Sequence, residues 1–255
     1  MSRACLFCGA NGSGGLTDEH IVPRWLIAHL DLPPDDLMAH AVVDSKTGAL
    51  TQKLRIHSTH HFVEGRVCED CNGGWMSTLE SDAKPVLVPL IDNQRAVAEL
   101  TAVERSRVGR WAAKTAYLHS WVAPLNMPVA IEHLAALQGP AGCPLPGVGV
   151  FGSQFGFSMK SSYCQTGTWP HWSPHSRPDS ADSQVKIGLQ FGHLYLAVVY
   201  WPDPQAQLIP GASVHYPVWP VDFPRRRPGR CRSLPGTESV VLLRQVVDSI
   251  ALWHH

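Results

Sequence analysis

Two C-x-x-C pairs, Cys5 with Cys8 and Cys68 with Cys71, constrain this chain more than any other feature. They stand about sixty residues apart. Together they supply four soft thiolates, the number and type of ligand that closes a tetrahedral zinc site. Zinc held this way has no open position for water, so it staples a fold and does no chemistry of its own. Four buried thiols without metal are the alternative, but two such pairs rarely arise together by chance. Cys143, Cys164 and Cys231 stand alone.

Composition narrows the classes further. In 255 residues the 21 basic and 21 acidic groups cancel, so any grip on nucleic acid has to come from local basic patches. A 44% hydrophobic and 16% charged chain is that of a globular protein. Met1 to Ala10 contains no apolar run of the signal-peptide kind, and the longest apolar stretch, Leu194 to Trp201, is too short to span a bilayer. These features lead us to expect a cytoplasmic protein without a membrane partner, in which cysteines are ligands or buried thiols.

The segment between the cysteine pairs is rich in turns, polar groups and histidines. Pro23 to Leu30 reads as a short helix with proline in its first turn. Ala39 to Val43 and Leu50 to Ile56 read as a hairpin around Ser45 to Gly48. After Cys71, the spacing of Trp75, Met76 and Leu79 predicts a helix that Pro85 and Pro89 end. A long helix follows from about Leu100 to Val122, with Val108, Trp111, Ala112, Thr115, Leu118 and Val122 on one face. Beyond Pro124 the alternating runs Val148 to Met159, Val185 to Trp201 and Ser213 to Trp219 predict strands, with a long loop from Trp169 to Ser183.

The order C-x-x-C, then Asp18-Glu19-His20-Ile21-Val22-Pro23, then C-x-x-C followed by Asn72 resembles the HNH endonuclease superfamily over residues 5 to about 80. The resemblance implies a ββα-metal core clamped by the two zinc knuckles. It makes His20 the general base that activates water against a DNA phosphodiester, and Glu19 and Asn72 the ligands of a catalytic Mg2+ or Mn2+ ion. These residue types suit that chemistry, since imidazole titrates near neutral pH and a hard ion takes oxygen ligands. Asn72 is equally suited to capping the helix after Cys71. The chain departs from the family pattern in one respect, because no Asn occurs between Asn11 and Asn72. The central Asn that orients the catalytic His is therefore missing, and His57, His60, His61 or a backbone carbonyl could take over that role or add a metal ligand. Trp75 reads as core and Glu80 as a surface or helix-pairing residue, in a Trp-Met-x-x-Leu-Glu string that resembles a signature recurring in HNH proteins.

Outside this module the candidates are basic. Arg107, Arg110 and Lys114 share one stripe of the long helix, which suits a phosphate backbone or simply a solvated face. Arg225, Arg226, Arg227, Arg230 and Arg232 form the densest positive run. The expected fold is α+β: an amino-terminal ββα-metal (HNH) module with structural zinc over residues 1–90, then the long helix and a β-rich region over 91–255. The expected function is a metal-dependent endonuclease. Its rivals are a non-catalytic zinc-stapled nucleic-acid-binding module and a ββα-metal enzyme acting on a substrate other than nucleic acid.

Overall fold

A computed structural model describes residues 4–10, 15–35, 37–43, 50–122, 136–139, 147–166, 185–200, 206–209, 216–220 and 251–254. The chain is a mixed α and β structure of small antiparallel sheets and helices. Strand β1 (Leu16–His20) pairs antiparallel with β4 (Val63–Cys68), which places Leu16 opposite Cys68 and His20 opposite Val63. This pairing closes the sixty-residue gap between the cysteine pairs. The register slips between Thr17 and Glu19, and a Cβ on Gly65 would come within 3.2 Å of Asp18 Oδ1, so glycine lets the bulged strand pass close to β1.

Between these strands come helix α1 (Arg24–His29), with Pro23 as its N-cap residue, and a hairpin of β2 (Leu37–Val43) and β3 (Leu50–Ser58). The Ser45 to Gly48 turn lies outside the described residues. After β4 the chain enters a short helix α2 (Glu69–Cys71), a π-helical turn (Asn72–Met76) and helix α3 (Ser77–Ile91).

Pro85 and Pro89 lie inside α3 and do not end it. Four residues apart, their rings stay on the outer side while Ala83, Val86, Leu87, Leu90 and Ile91 are buried. The carbonyls that lose an amide partner therefore face outward, where water can satisfy them.

Helix α4 (Ala102–Val122) packs against α3, against β4, and against a three-stranded sheet of order β6-β5-β8. That sheet comprises β5 (Val148–Thr166), β6 (Val185–Tyr200) and β8 (Tyr216–Trp219). Strands β7 (Ala206–Ile209) and β9 (Ala251–His254) form a separate pair. The α4–sheet contact is tight, since a Cβ on Gly109 would fall 2.6 Å from Trp219 Cβ. One apolar core runs from Cys5 through Phe62, Leu87 and Trp111 to Trp219. Among the described residues, no helix is long and apolar enough to cross a membrane.

Candidate functional site

The two knuckles meet. The sulfurs of Cys5, Cys8, Cys68 and Cys71 all lie within 4.8 Å of one another, with Cys8 exposed and the other three buried. The Cys8 and Cys68 sulfurs are 3.7 Å apart. A tetrahedron with Zn–S bonds of about 2.3 Å has edges of about 3.8 Å, so these four residues fit a zinc ion. Burial opposes the charged form of Cys5, but the backbone N–H groups of Cys68, Cys8 and Phe7 aimed at its sulfur bring the thiol down to about 7. Burial pushes the Cys68 and Cys71 thiols up. A bound cation reverses that order, because each thiolate then faces a positive charge.

His20 ends β1, and the alternation of the strand decides its company. Asp18 and His20 open onto a cleft of about 690 Å³ that is also lined by Arg24, Asp31, His60 and His61. Thr17 and Glu19 open onto a second cleft, of about 380 Å³, with Glu69, Asn72, Ser77 and Glu80.

The His20 ring is oriented by a backbone carbonyl, that of His60, which accepts a hydrogen bond from it. The opposite side of the ring meets Arg24, whose Nε approaches His20 Nε2 at 3.5 Å. A neutral imidazole has one donor and one acceptor nitrogen. With Nε2 accepting, the proton sits on Nδ1. Burial and then the Arg24 cation hold His20 below its usual range, against the opposing pull of the His60 carbonyl and Asp18.

Glu19 is buried, and its carboxylate accepts from Lys114 Nζ at 2.8 Å. The same ammonium donates to Glu80 Oε1 at 2.7 Å. Burial raises Glu19 above the ordinary carboxylate range, although Lys114 acts in the opposite direction. Burial likewise opposes the Lys114 charge, but Glu80 and Glu19 outweigh it and hold the group above its ordinary value. Asn72 is not an N-cap, since it has helical dihedrals inside the π-turn and its Nδ2 donates to Thr17 Oγ1 at 3.0 Å. Thr17 Oγ1 in turn donates to the Val67 carbonyl at 3.0 Å, which ties the helix start to the β1–β4 pair.

Several sequence expectations change here. The stripe of Arg107, Arg110 and Lys114 is not an open basic face, because α4 is enclosed on several sides. Lys114 is fully buried between carboxylates, and Arg110 is buried with its guanidinium donating to the carbonyls of Leu137 and Gly139. Arg107 is half-buried. Glu80, read as a surface or helix-pairing residue, holds Lys114, and the one hint in the sequence was its place in the Trp-Met-x-x-Leu-Glu string. His60 Nε2 donates to the Leu32 carbonyl at 2.9 Å, while His61 is exposed in the His20 cleft. His57 belongs to β3, with its side chain outside the described set, and Arg225, Arg226, Arg227, Arg230 and Arg232 lie outside the described residues. Arg24 was missed, although its position directly after Pro23, at the start of the expected helix, placed it four residues from His20.

The two residues expected to hold a catalytic divalent ion, Glu19 and Asn72, share one cleft, whereas His20 opens onto the other. Glu19 is engaged with Lys114, and strand alternation turns it away from His20. Among the described residues the four thiols form the only group of three or more His, Cys, Asp or Glu side chains close enough to hold a metal. Comparison of the chain with protein-family models, with curated proteins and with solved structures finds no match in any of the three.

Proposed function

We propose that the chain is an HNH-type endonuclease that hydrolyses DNA phosphodiester bonds, with His20 as the general base. The observation that carries this reading is His20 itself. It is a half-buried imidazole at the end of β1, with Nε2 facing the Arg24 guanidinium and its pKa held below the usual range, in an open cleft on the strand whose first residue pairs with Cys68. In the reaction, Nε2 takes a proton from water as the water oxygen bonds to phosphorus. The P–O3′ bond breaks with its electron pair going to O3′, solvent protonates the leaving oxygen, and the products are a 5′-phosphate and a 3′-hydroxyl. The His60 carbonyl keeps the ring in the tautomer this step requires, the role the missing central Asn leaves open.

Zinc belongs to the thiol cluster, where it would hold the fold. Mg2+ or Mn2+ stays in the proposal as the divalent cofactor that the HNH resemblance implies. No step is routed through it, because Glu19 and Asn72 do not gather around His20.

A second reading is favoured by the Glu19–Lys114 ion pair: a zinc-stapled DNA-binding module without catalysis, in which lysine fills a cation's place. Plasmid cleavage with Mg2+, Mn2+ or chelator separates the two. Cleavage by the wild type and a hundredfold to ten-thousandfold loss in His20→Ala, with zinc content, melting temperature and DNA binding kept, is the expected result. Binding without cleavage supports the second reading, and neither binding nor cleavage points to a substrate other than nucleic acid. Wild-type cleavage by His20→Ala overturns the assignment of the base.

A further inference from the structure

The nuclease reading leaves one question open, namely what supplies positive charge to the phosphate on the His20 side of β1. Lys114 and Arg110, expected on the surface, are buried and engaged elsewhere. The wall of the His20 cleft carries two carboxylates, Asp18 and Asp31, so an anion is admitted only where a cation outweighs them. Arg24 is the single Lys or Arg among the described residues of that wall. It is exposed, and among the described residues no carboxylate lies within ion-pair range of it. Its one hydrogen bond among them is the 3.5 Å approach of Nε to His20 Nε2, a long and weak contact.

From this geometry we infer that Arg24 is a catalytic residue, a phosphate-binding guanidinium that seats a phosphodiester oxygen against His20. The inference rests on the reading of this cleft as a phosphodiesterase site, and it follows from placement. A guanidinium presents a planar fork that matches two phosphate oxygens and is always charged. Because the Arg24 Nε–H sits against the lone pair of Nε2, a phosphate that draws Arg24 to itself also uncovers that lone pair. Water in the gap then has the base on one side and the phosphorus on the other. One residue thus places the substrate and frees the base, so His20 is silent toward water until a phosphate arrives. On the product side, the same fork holds the 5′-phosphate monoester.

The test uses the full chain with its zinc and two readouts. First, inorganic phosphate is titrated into wild type, Arg24→Gln and Arg24→Lys while the Arg24 Nε–H and His20 ring signals are followed by NMR. Saturable shifts of both signals in the wild type, lost in Arg24→Gln, are expected. An unmoved Arg24 signal at saturating phosphate, or an unchanged His20 response in Arg24→Gln, overturns the inference. Second, cleavage is measured on plasmid DNA. Arg24→Gln should lower kcat by roughly a hundredfold to a thousandfold, as removal of one preorganised charge donor usually does. Arg24→Lys should recover part of the loss, because a point charge replaces the fork. Wild-type kcat in Arg24→Gln overturns the catalytic role while leaving the nuclease reading intact. Arg24-dependent phosphate binding in a wild type that cleaves nothing supports the phosphate site and removes the nuclease reading. The melting temperature of Arg24→Gln should match the wild type, since the side chain is exposed.

Discussion

Lys114 is the residue whose environment most changes what can be asked of this protein. Its ammonium is fully buried, yet both of its partners carry negative charge, and the network joins β1, α3 and α4 at one point. A buried ion pair of this kind is weak evidence of net stability, because desolvation offsets most of the attraction. Breaking it is another matter, since Glu19 would be left buried and unpaired. Lys114→Met should therefore destabilise the chain by roughly 3–5 kcal/mol. Adding Glu19→Gln should recover a substantial part, because the orphaned charge is gone. Denaturant midpoints at matched zinc check this, and a Lys114→Met protein as stable as wild type would sink it. The sign of the pH dependence also follows. Glu19 is raised in the folded state, so its contribution is present below the ordinary 4.5 and is lost as pH rises through the raised value. Protonation of Glu19 is accordingly not a cause of acid unfolding.

Helix α4 shows where acid unfolding does act, at its start. Thr101 Oγ1 accepts from the Glu104 N–H at 3.3 Å, and Glu104 Oε2 accepts from the Thr101 N–H at 2.9 Å, a capping box written in the sequence as Thr-x-x-Glu. Arg95 adds a two-pronged contact to the same carboxylate, at 2.6 and 2.8 Å. Hydrogen bonds from Arg95 and then from Thr101 hold Glu104 down at about 2. Its contribution is present above the ordinary 4.5 and fades as pH falls through about 2. Glu104→Gln should cost about 1 kcal/mol at pH 7 and little at pH 2, measured as denaturant midpoints at both values. A pH-independent cost would assign the effect to packing. The same helix marks what the sequence could and could not disclose. Its length and apolar face were legible from the spacing of Val108, Trp111, Ala112 and Thr115. Its polar side was not, because periodicity tells which face is apolar and says nothing of what covers the other face. Only the docking of β4, α3 and the β6-β5-β8 sheet around α4 turns Arg110 and Lys114 inward. The cysteine cluster was legible because ligand chemistry is carried by residue type and spacing alone. The separation of His20 from Glu19 was foreseeable from strand alternation, and the family pattern obscured it.

The core that joins these parts does not pause near residue 90. Phe62 packs on His119 with ring centroids 5.2 Å apart, Trp25 lies 6.4 Å from Trp111, and a Cβ on Gly192 would meet the Ile91 carbonyl oxygen at 2.6 Å. The buried face of α3, comprising Val86, Leu87, Leu90 and Ile91, lies where α3 meets α4 and β6. Each fully buried side chain of this kind contributes about 1.5–3 kcal/mol. Exposing even half of that surface costs on the order of 5 kcal/mol, comparable to the entire net stability of a marginal domain. Lys114, which compensates Glu19, would be lost in the same cut. Zinc at the thiol cluster fixes the β1–β4 end of the segment but cannot cover α3 at the other end. A fragment of residues 1–95 with zinc should therefore fail to melt cooperatively and should bind a dye for exposed apolar surface, whereas the full chain melts cooperatively. In the full chain, Cys68→Ser should lower the melting temperature and the zinc content together, since binding energy at such a site is folding energy. A fragment that holds one zinc and unfolds in a single sharp transition would show that the knuckles alone suffice, and that the core shared with α4 is dispensable to them.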